Sequence, residues 1–172
     1  MLNSPFLDWN MPTFQKKVII PIASSFGRVF PNVKIHQEPD AGYANTLSAH
    51  HQGEWLYRDD WKPDVLPDPD LGWIRAIYQG QKQLRRQSVK VPVLLMHSSC
   101  SVKKGDSKES YFHADAILDV ETISYYGTRL GNDVTEVTFQ DGLHDLVLSK
   151  KIIREQVYET MLSWLCHSMP KS

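Results

Sequence analysis

The order of hydrophobic patterns between residues 91 and 166 constrains the fold of this chain more than any other feature. Residues 91–97 (VPVLLMH) form a short, nearly continuous apolar run, which is typical of a strand covered on both faces of a parallel sheet. A second β-rich segment covers Val134–Phe139. Each segment is followed by residues with helical spacing. Strand, helix, strand and helix in this order predict an α/β fold with a βαβα unit and a parallel sheet.

The two helices of this unit have different sequence signals. The first, residues 120–130, has apolar positions at helical spacing, with Asp119 placed to cap its N-terminus and Gly131 placed to end it. The second, residues 150–166, is amphipathic and suited to lie on a sheet. Its apolar stripe consists of Ile153, Val157, Met161, Trp164 and Leu165.

The part of the chain before residue 89 is less regular. Apolar residues at every fourth position between Phe14 and Phe30 predict a helix, and Pro21 within it predicts a kink or two short helices. Residues 36–72 are rich in Pro, Asp and Gly, which predicts a loop-rich excursion with short helices. A further helix at about 71–87 leads into the first strand of the βαβα unit.

Composition excludes several classes of function. The chain has 172 residues and a formal net charge of -1, so no overall field favours nucleic acid or an anionic membrane. It contains no P-loop, no Gly-x-Gly-x-x-Gly, no metal-binding signature and no apolar run long enough to span a membrane, so we expect no cofactor and no metal. Two widely spaced cysteines predict no disulfide framework, and a cytoplasmic protein is expected.

Two acidic residues and a histidine follow the predicted strands. Asp115 and Asp119 come after the first strand, and His144 lies in the sequence Asp141-Gly142-Leu143-His144-Asp145 after the second. Catalytic groups of open α/β sheets gather at the carboxyl ends of strands. An acid followed by a histidine is also the end of the chain order Ser, Asp, His, in which the carboxylate orients an imidazole that acts as a base. A polar surface loop is the alternative interpretation of the histidine.

These segments resemble the C-terminal half of α/β-hydrolases of the serine aminopeptidase, lysophospholipase and monoglyceride lipase group. The resemblance is carried by Pro92-Val93-Leu94-Leu95-Met96-His97, by Ala114-Asp115-Ala116-Ile117-Leu118-Asp119-Val120 and by Gly142-Leu143-His144-Asp145. Leu2-Asn3-Ser4-Pro5-Phe6 is similar to the strand end that follows the nucleophile helix of these enzymes. The resemblance implies a partial α/β-hydrolase fold over 1–172, which is the C-terminal part of a parallel sheet with flanking helices. Residues 10–88 would form a helical, loop-rich cap, and residues 89–172 would form the core.

The resemblance also implies a Ser-His-Asp triad in which Asp115 is the acid and His144 the base. Asp119 is the alternative acid, and we favour Asp115 because Asp119 is placed to cap a helix. The segment 98–114 separates the strand from Asp115, whereas family members often have a short turn there, so the acid has a long loop to bridge.

The nucleophile of such a triad is missing from the sequence. No Gly-x-Ser-x-Gly occurs in the 172 residues, and neither Ser107 nor Cys100 has the required strand before it and helix after it. We therefore expect the acid and base of an ester hydrolase without its nucleophile, as in the C-terminal part of a longer enzyme, and an isolated chain that is inactive. A non-catalytic remnant that serves as a binding or interaction module is the main alternative, and a small self-contained α/β domain is a weaker one.

The expected partner is a small acyl or lipid-like ester. Six aromatic side chains could line an apolar pocket for its acyl group, and ordinary core and cap packing is the alternative interpretation. They are Phe6, Trp9, Trp55, Tyr57, Trp61 and Trp73. A partial sheet would expose a strand edge, which predicts a homodimer or poor solubility.

Overall fold

A computed structural model describes residues 1–37, 42–58, 60–63 and 65–168 of the chain. Its centre is a parallel sheet of three strands in the order β1, β2, β3, formed by Leu2–Asn3, Val93–Ser98 and Val134–Phe139. Leu2 pairs with Leu95, and Met96 pairs with Val137. The predicted α/β class and parallel sheet are therefore confirmed, with the short strand β1 added at the edge.

The central strand β2 is buried along its whole length. Because successive side chains of a strand point to opposite faces, Leu94 and Met96 face one layer of helix and Leu95 faces the other. β2 begins two residues later than the apolar run predicts. Pro92 has no N–H to donate, and the first ladder bond on this side runs from Val93 N to Asp133 O (2.9 Å).

Helices cover both faces of the sheet. Helix α4 (Val120–Gly127) packs on the face of Leu95 through Ile123, and helix α5 (Lys151–Ser168) packs on the opposite face through Ile153 and Val157. Each buried aliphatic side chain of this kind stabilises the fold by roughly 1.5–3 kcal/mol. The sheet thus has the two covered faces that a buried parallel strand requires.

Helix α4 ends earlier than its sequence pattern predicts, and Gly131 does not end it. The helix closes at Gly127, with Thr128 as its C-cap. Gly131 forms a bridge to Val89, and a Cβ at that position would lie 2.5 Å from the Val89 carbonyl oxygen. The glycine is therefore required by a close backbone approach, and the prediction for its role was wrong.

Three helices lie in the part of the chain before β2. A π-helical turn (Gln15–Ile19) continues into α1 (Ile20–Phe26), α2 covers Gly42–Leu47, and α3 covers Leu71–Leu84 with Asp70 as its N-cap. Helices α1 and α3 pack together around a cluster formed by Trp9, Ile20, Leu71 and Ile74. Pro21 stands in the first turn of α1 next to the π-helical turn, so the irregularity that it predicts occurs there.

The apolar stripe that predicts this first helix faces away from the interior. The buried residues of α1 are Ile20 and Ser24, which lie between the stripe positions. The residues that repeat at every fourth position are all exposed, namely Phe14, Val18, Ile22, Phe26 and Phe30. Two short 3-10 helices, Lys108–Phe112 and Leu146–Leu148, complete the described elements. No helix among the described residues is long and apolar enough to cross a lipid bilayer.

Candidate active site

The long loop after β2 brings Asp115 back to the end of that strand. Asp115 N donates to Cys100 O (2.9 Å), and Val102 N donates to Asp115 O (2.8 Å). Ser101 and Asp115 form an isolated parallel bridge. These contacts close the base of the loop as a neck, and residues 103–114 form an excursion beyond it. The segment 98–114 therefore does not displace Asp115 from the carboxyl end of the sheet.

The Asp115 carboxylate is fully buried and held by backbone donors. Its Oδ1 accepts hydrogen bonds from Ile117 N (2.8 Å) and Leu118 N (2.8 Å). This is an Asx-type turn, in which the side chain replaces a backbone acceptor. The two amides fix the orientation of the carboxylate, so that Oδ2 is available to another donor.

His144 supplies that donor from the loop after β3. Its Nδ1 lies 2.9 Å from Asp115 Oδ2 and 3.1 Å from Asp115 Oδ1. A carboxylate accepts only, so Nδ1 carries the proton and donates, and in the neutral ring Nε2 is the basic nitrogen. The histidine side chain is 25% exposed whereas the carboxylate is 0% exposed, so the imidazole reaches the surface while its partner does not.

Two backbone features shape the loop that carries His144. Asp141 has a φ of 57°, in the left-handed region, where Asp is tolerated better than most residues. A Cβ on Gly142 would lie 2.7 Å from the Leu146 Cδ2 atom and 3.2 Å from the Phe139 carbonyl oxygen. The turn after β3 is therefore tight, and it sets the direction in which His144 leaves the sheet.

Side chains from distant parts of the chain hold the residues after His144. Asn3, at the carboxyl end of β1, donates from Nδ2 to Asp145 Oδ1 (2.7 Å) and accepts from Leu146 N (3.2 Å). The Tyr43 hydroxyl accepts from Asp145 N (3.1 Å), and the Tyr43 ring meets the His144 ring edge to face at 5.8 Å. Burial raises the pKa of the Tyr43 phenol, which keeps it neutral.

Sequence reasoning missed both Asn3 and Tyr43. Asn3 has a signal that could have been used, because a polar side chain at the end of a parallel strand faces the site edge of the sheet. Tyr43 lies in the irregular segment, and no sequence pattern relates it to a residue so far along the chain.

Asp119, the alternative acid, is placed elsewhere. Its Oδ1 accepts from Glu121 N (3.0 Å) at the start of α4, which is the N-cap geometry. The structure brings Asp115 to His144 and leaves Asp119 at the helix. The catalytic role of Asp115 and His144 stays a prediction at this point.

An apolar groove with a volume of about 710 Å³ has His144 in its wall. Of the six aromatic residues considered from the sequence, Phe6, Trp9 and Trp73 line it, and their rings contact one another at 5.1–6.3 Å between centroids. Trp55 instead donates from Nε1 to Leu148 O (2.8 Å), and Trp61 is 79% exposed. Neither these two nor Tyr57 is among the lining residues.

No serine of the described chain occupies a nucleophile elbow. Ser4 comes nearest, because it follows β1, is buried and has a φ of 41°. Among the described residues its hydroxyl has no hydrogen-bond partner, so it does not bond to His144. Cys100 and Cys166 are both unpaired. The described residues contain no group of three or more side chains suited to hold a metal ion.

Comparison with protein-family models and with curated protein sequences finds no match. Solved structures are similar. The monoacylglycerol lipase of Paleococcus ferrophilus has a TM-score of 0.59 at 16% identity, over 97% of this chain and 58% of the lipase. A soluble variant of monoglyceride lipase from Saccharomyces cerevisiae, solved with a substrate analogue, has a TM-score of 0.57 at 16% identity, over 97% of this chain and 55% of the lipase.

At this level of identity the similarity establishes the fold. It confirms the predicted resemblance to α/β-hydrolases and the partial character of the sheet, because this chain spans a little over half the length of either lipase. With three parallel strands and helices on both faces, the chain has the fold of part of an α/β-hydrolase.

Proposed function

We propose that this chain supplies the acid and base of a serine hydrolase that cleaves carboxylic esters of small acyl or lipid-like substrates. The observation that carries the proposal is the Asp115–His144 pair at the carboxyl end of a parallel sheet, with His144 in the wall of an apolar groove. The two similar structures are a monoacylglycerol lipase and a monoglyceride lipase, which supports an ester as the class of substrate.

The proposed mechanism uses the two ring nitrogens of His144 in different ways. Asp115 accepts the proton of Nδ1, which orients the ring and stabilises the imidazolium that forms during the reaction. Nε2 takes the proton of a serine hydroxyl as that oxygen attacks the ester carbonyl, and then gives the proton to the leaving alkoxide. Water attacks the acyl-enzyme in the second half of the reaction with the same base.

The serine is proposed to lie outside these 172 residues. A nucleophile elbow needs Gly-x-Ser-x-Gly between a strand and a helix, and the sequence has none. In this proposal the helices between residues 10 and 88 form the cap over the groove, and 89–172 form the core that carries the acid and base. The two unpaired cysteines are in keeping with a reducing, cytoplasmic location.

A fluorophosphonate probe tests where the nucleophile is. We expect no labelling of the 172-residue chain, and labelling of a longer polypeptide that adds a strand and a Gly-x-Ser-x-Gly upstream. In that longer polypeptide, His144→Ala should abolish labelling. Stoichiometric labelling of any serine in the 172-residue chain, with strained Ser4 the first to examine, would overturn the proposed location.

The acid and base can be tested without a nucleophile. In the proton NMR spectrum we expect a strongly low-field resonance from His144 Nδ1–H, because the bond to a buried carboxylate is charge-assisted. His144→Ala and Asp115→Asn should each remove it, and Asp119→Asn should leave it in place. If Asp119→Asn removed the resonance and Asp115→Asn did not, the assignment of Asp115 as the acid would be wrong.

A non-catalytic binding module is the second candidate. The absence of the elbow motif together with a retained groove favours it. If no in-frame upstream sequence with the elbow exists and the chain still binds acyl ligands, this candidate replaces the first.

A further inference from the structure

We propose that the groove beside His144 selects esters whose alcohol part is neutral or cationic, and that Asp68 and Asp70 reject anionic ones. This inference rests on the proposed function, because it treats the groove as the substrate site. It adds a criterion that separates neutral glycerol esters and cationic esters from esters that carry a free phosphate or carboxylate.

Both carboxylates line the groove and both are fixed in place. Asp68 Oδ1 accepts from Gln37 N (3.0 Å) and its Oδ2 lies 3.3 Å from His36 Nδ1. The hydrogen bond from Gln37 N, with a smaller contribution from His36, lowers the pKa of Asp68, so this side chain is ionised at neutral pH. Asp70 Oδ1 accepts from Trp73 N (2.7 Å) as the N-cap of α3.

Positive charge near these groups lies outside the groove. The backbone of Lys34 forms an isolated β-bridge with that of Asp70. Lys34 and His36 both contribute to lowering the pKa of Asp68, but neither is a lining residue of the groove. Among the described lining residues there is no lysine or arginine. An anionic head group beside Asp68 and Asp70 would therefore meet two carboxylates with no lysine or arginine among the described lining residues to pair with, which is how a site rejects a ligand by charge.

The apolar part of the groove does not discriminate by charge. Its aromatic wall consists of Phe6, Trp9 and Trp73. This wall binds an alkyl chain through the hydrophobic effect, whose strength depends on the apolar area buried and not on the charge of the head group. Ligands with the same chain and different head groups therefore isolate the effect of Asp68 and Asp70.

The experiment measures binding of three decyl ligands that contain no carboxylic ester bond. These are the monodecyl ether of glycerol, decyltrimethylammonium and decyl phosphate, each below its critical micelle concentration. Tryptophan fluorescence reports binding, because Trp9 and Trp73 line the groove. We expect the ether and the cation to bind, and decyl phosphate to bind about fivefold more weakly or worse, as one unfavourable charge contact at close range predicts.

Charge-removing variants assign the effect to the two residues. Asp68→Asn and Asp70→Asn keep acceptor oxygens for the Gln37 and Trp73 amides, and asparagine is a good N-cap, so the fold should persist. The double variant should bind decyl phosphate with the same affinity as it binds the ether. Asp60→Asn is the matched control, because it removes one charge from an exposed aspartate that pairs with Arg58 outside the groove.

The possible results separate this inference from the proposed function. If all three ligands bind equally, or the double variant keeps the preference, the charge selection is wrong while the groove remains a ligand site. If none of the three binds, the groove is not an acyl site, and the substrate part of the proposed function fails as well.

Discussion

At the scale of single residues, the site depends on how fully each polar group is engaged. Asp115 is buried and accepts hydrogen bonds from two backbone amides and one imidazole, whereas Asp119 accepts from one amide at a helix start. Loss of a buried acceptor costs more than loss of a partly exposed one, because the donors left behind have no water to bond to. The two aspartates should therefore respond very differently to the same substitution.

Asp115→Asn should destabilise the chain by about 1–3 kcal/mol, since the amide oxygen can still accept from the two backbone amides but the amide nitrogen would face the Nδ1–H donor of His144 in a buried site. Asp119→Asn should change stability by less than about 0.5 kcal/mol, because asparagine caps helices as well as aspartate does. Urea unfolding followed by far-UV circular dichroism measures both. A larger loss for Asp119→Asn would contradict the assignment of these environments.

Tyr43→Phe tests the link between the irregular segment and the histidine loop. The substitution keeps the ring beside His144 but removes the oxygen that accepts from Asp145 N. We expect a loss of about 1 kcal/mol in the free energy of unfolding. Tyr158→Phe, at an exposed position on α5, is the control and should have no effect.

Glu136 gives the sheet a dependence on acid. Burial opposes ionisation of Glu136, but hydrogen bonds from His97 Nε2 (3.0 Å) and Ser124 outweigh it and hold the pKa below its ordinary 4.5. A lowered pKa contributes stability that is present above the ordinary value and is lost as pH falls through the folded-state value.

At neutral pH the wild-type chain should therefore be more stable than Glu136→Gln by up to about 1 kcal/mol, since the side chain is partly exposed. The difference should shrink as pH falls below 4.5, the ordinary value. Urea midpoints between neutral and acidic pH measure it, with Glu159→Gln on α5 as the control. A difference that is constant with pH would show that the pair contributes no charge effect.

At the scale of elements, the sequence allowed the βαβα half to be predicted well and the rest only in outline. Strand β2 is buried along its whole length and begins with four apolar residues, because both of its faces are covered, and this pattern has few alternatives. The first helix was predicted at the right place, yet its apolar stripe is exposed, because periodicity shows which residues share a face but not what lies against that face. Asp115 and His144 were predicted together from their order along the chain and from the resemblance to α/β-hydrolases, while Asn3 and Tyr43 are related to them only in three dimensions.

His113 ties the excursion after β2 to the histidine loop. Its Nδ1 lies 3.0 Å from Asp141 Oδ1, and its Nε2 lies 3.4 Å from Glu109 Oε1. His113→Ala should speed hydrogen exchange at the excursion and at the amides of Val102 and Asp115, because the contact between the two loops is lost. Glu109→Ala, which removes only the longer contact on the exposed side, should leave exchange at these two amides unchanged.

At the scale of the whole molecule, the sheet has two edges, at β1 and β3, on which no further strand of the described residues pairs. The described surface also exposes large apolar side chains along the first helix. Both features favour association in water, because they leave hydrogen-bonding groups and apolar area without a partner.

Sedimentation velocity should therefore show concentration-dependent dimers or larger species for the 172-residue chain. Ile22→Lys and Phe26→Lys, on the exposed stripe, separate the two causes: loss of association assigns it to the helix, and persistence assigns it to the sheet edge. A single monomeric species at all concentrations would contradict the prediction.

The neck formed by Cys100, Val102 and Asp115 holds Asp115 close to the end of β2, although many residues separate them along the chain. Residues beyond it can change in number without moving the carboxylate, so the excursion is a natural point for insertion. Gly105 lies there with a φ of 98°, and a Cβ added to it would meet open space. A peptide tag or a fluorescent reporter inserted beside Gly105 would label the molecule close to the site while leaving the Asp115–His144 pair intact.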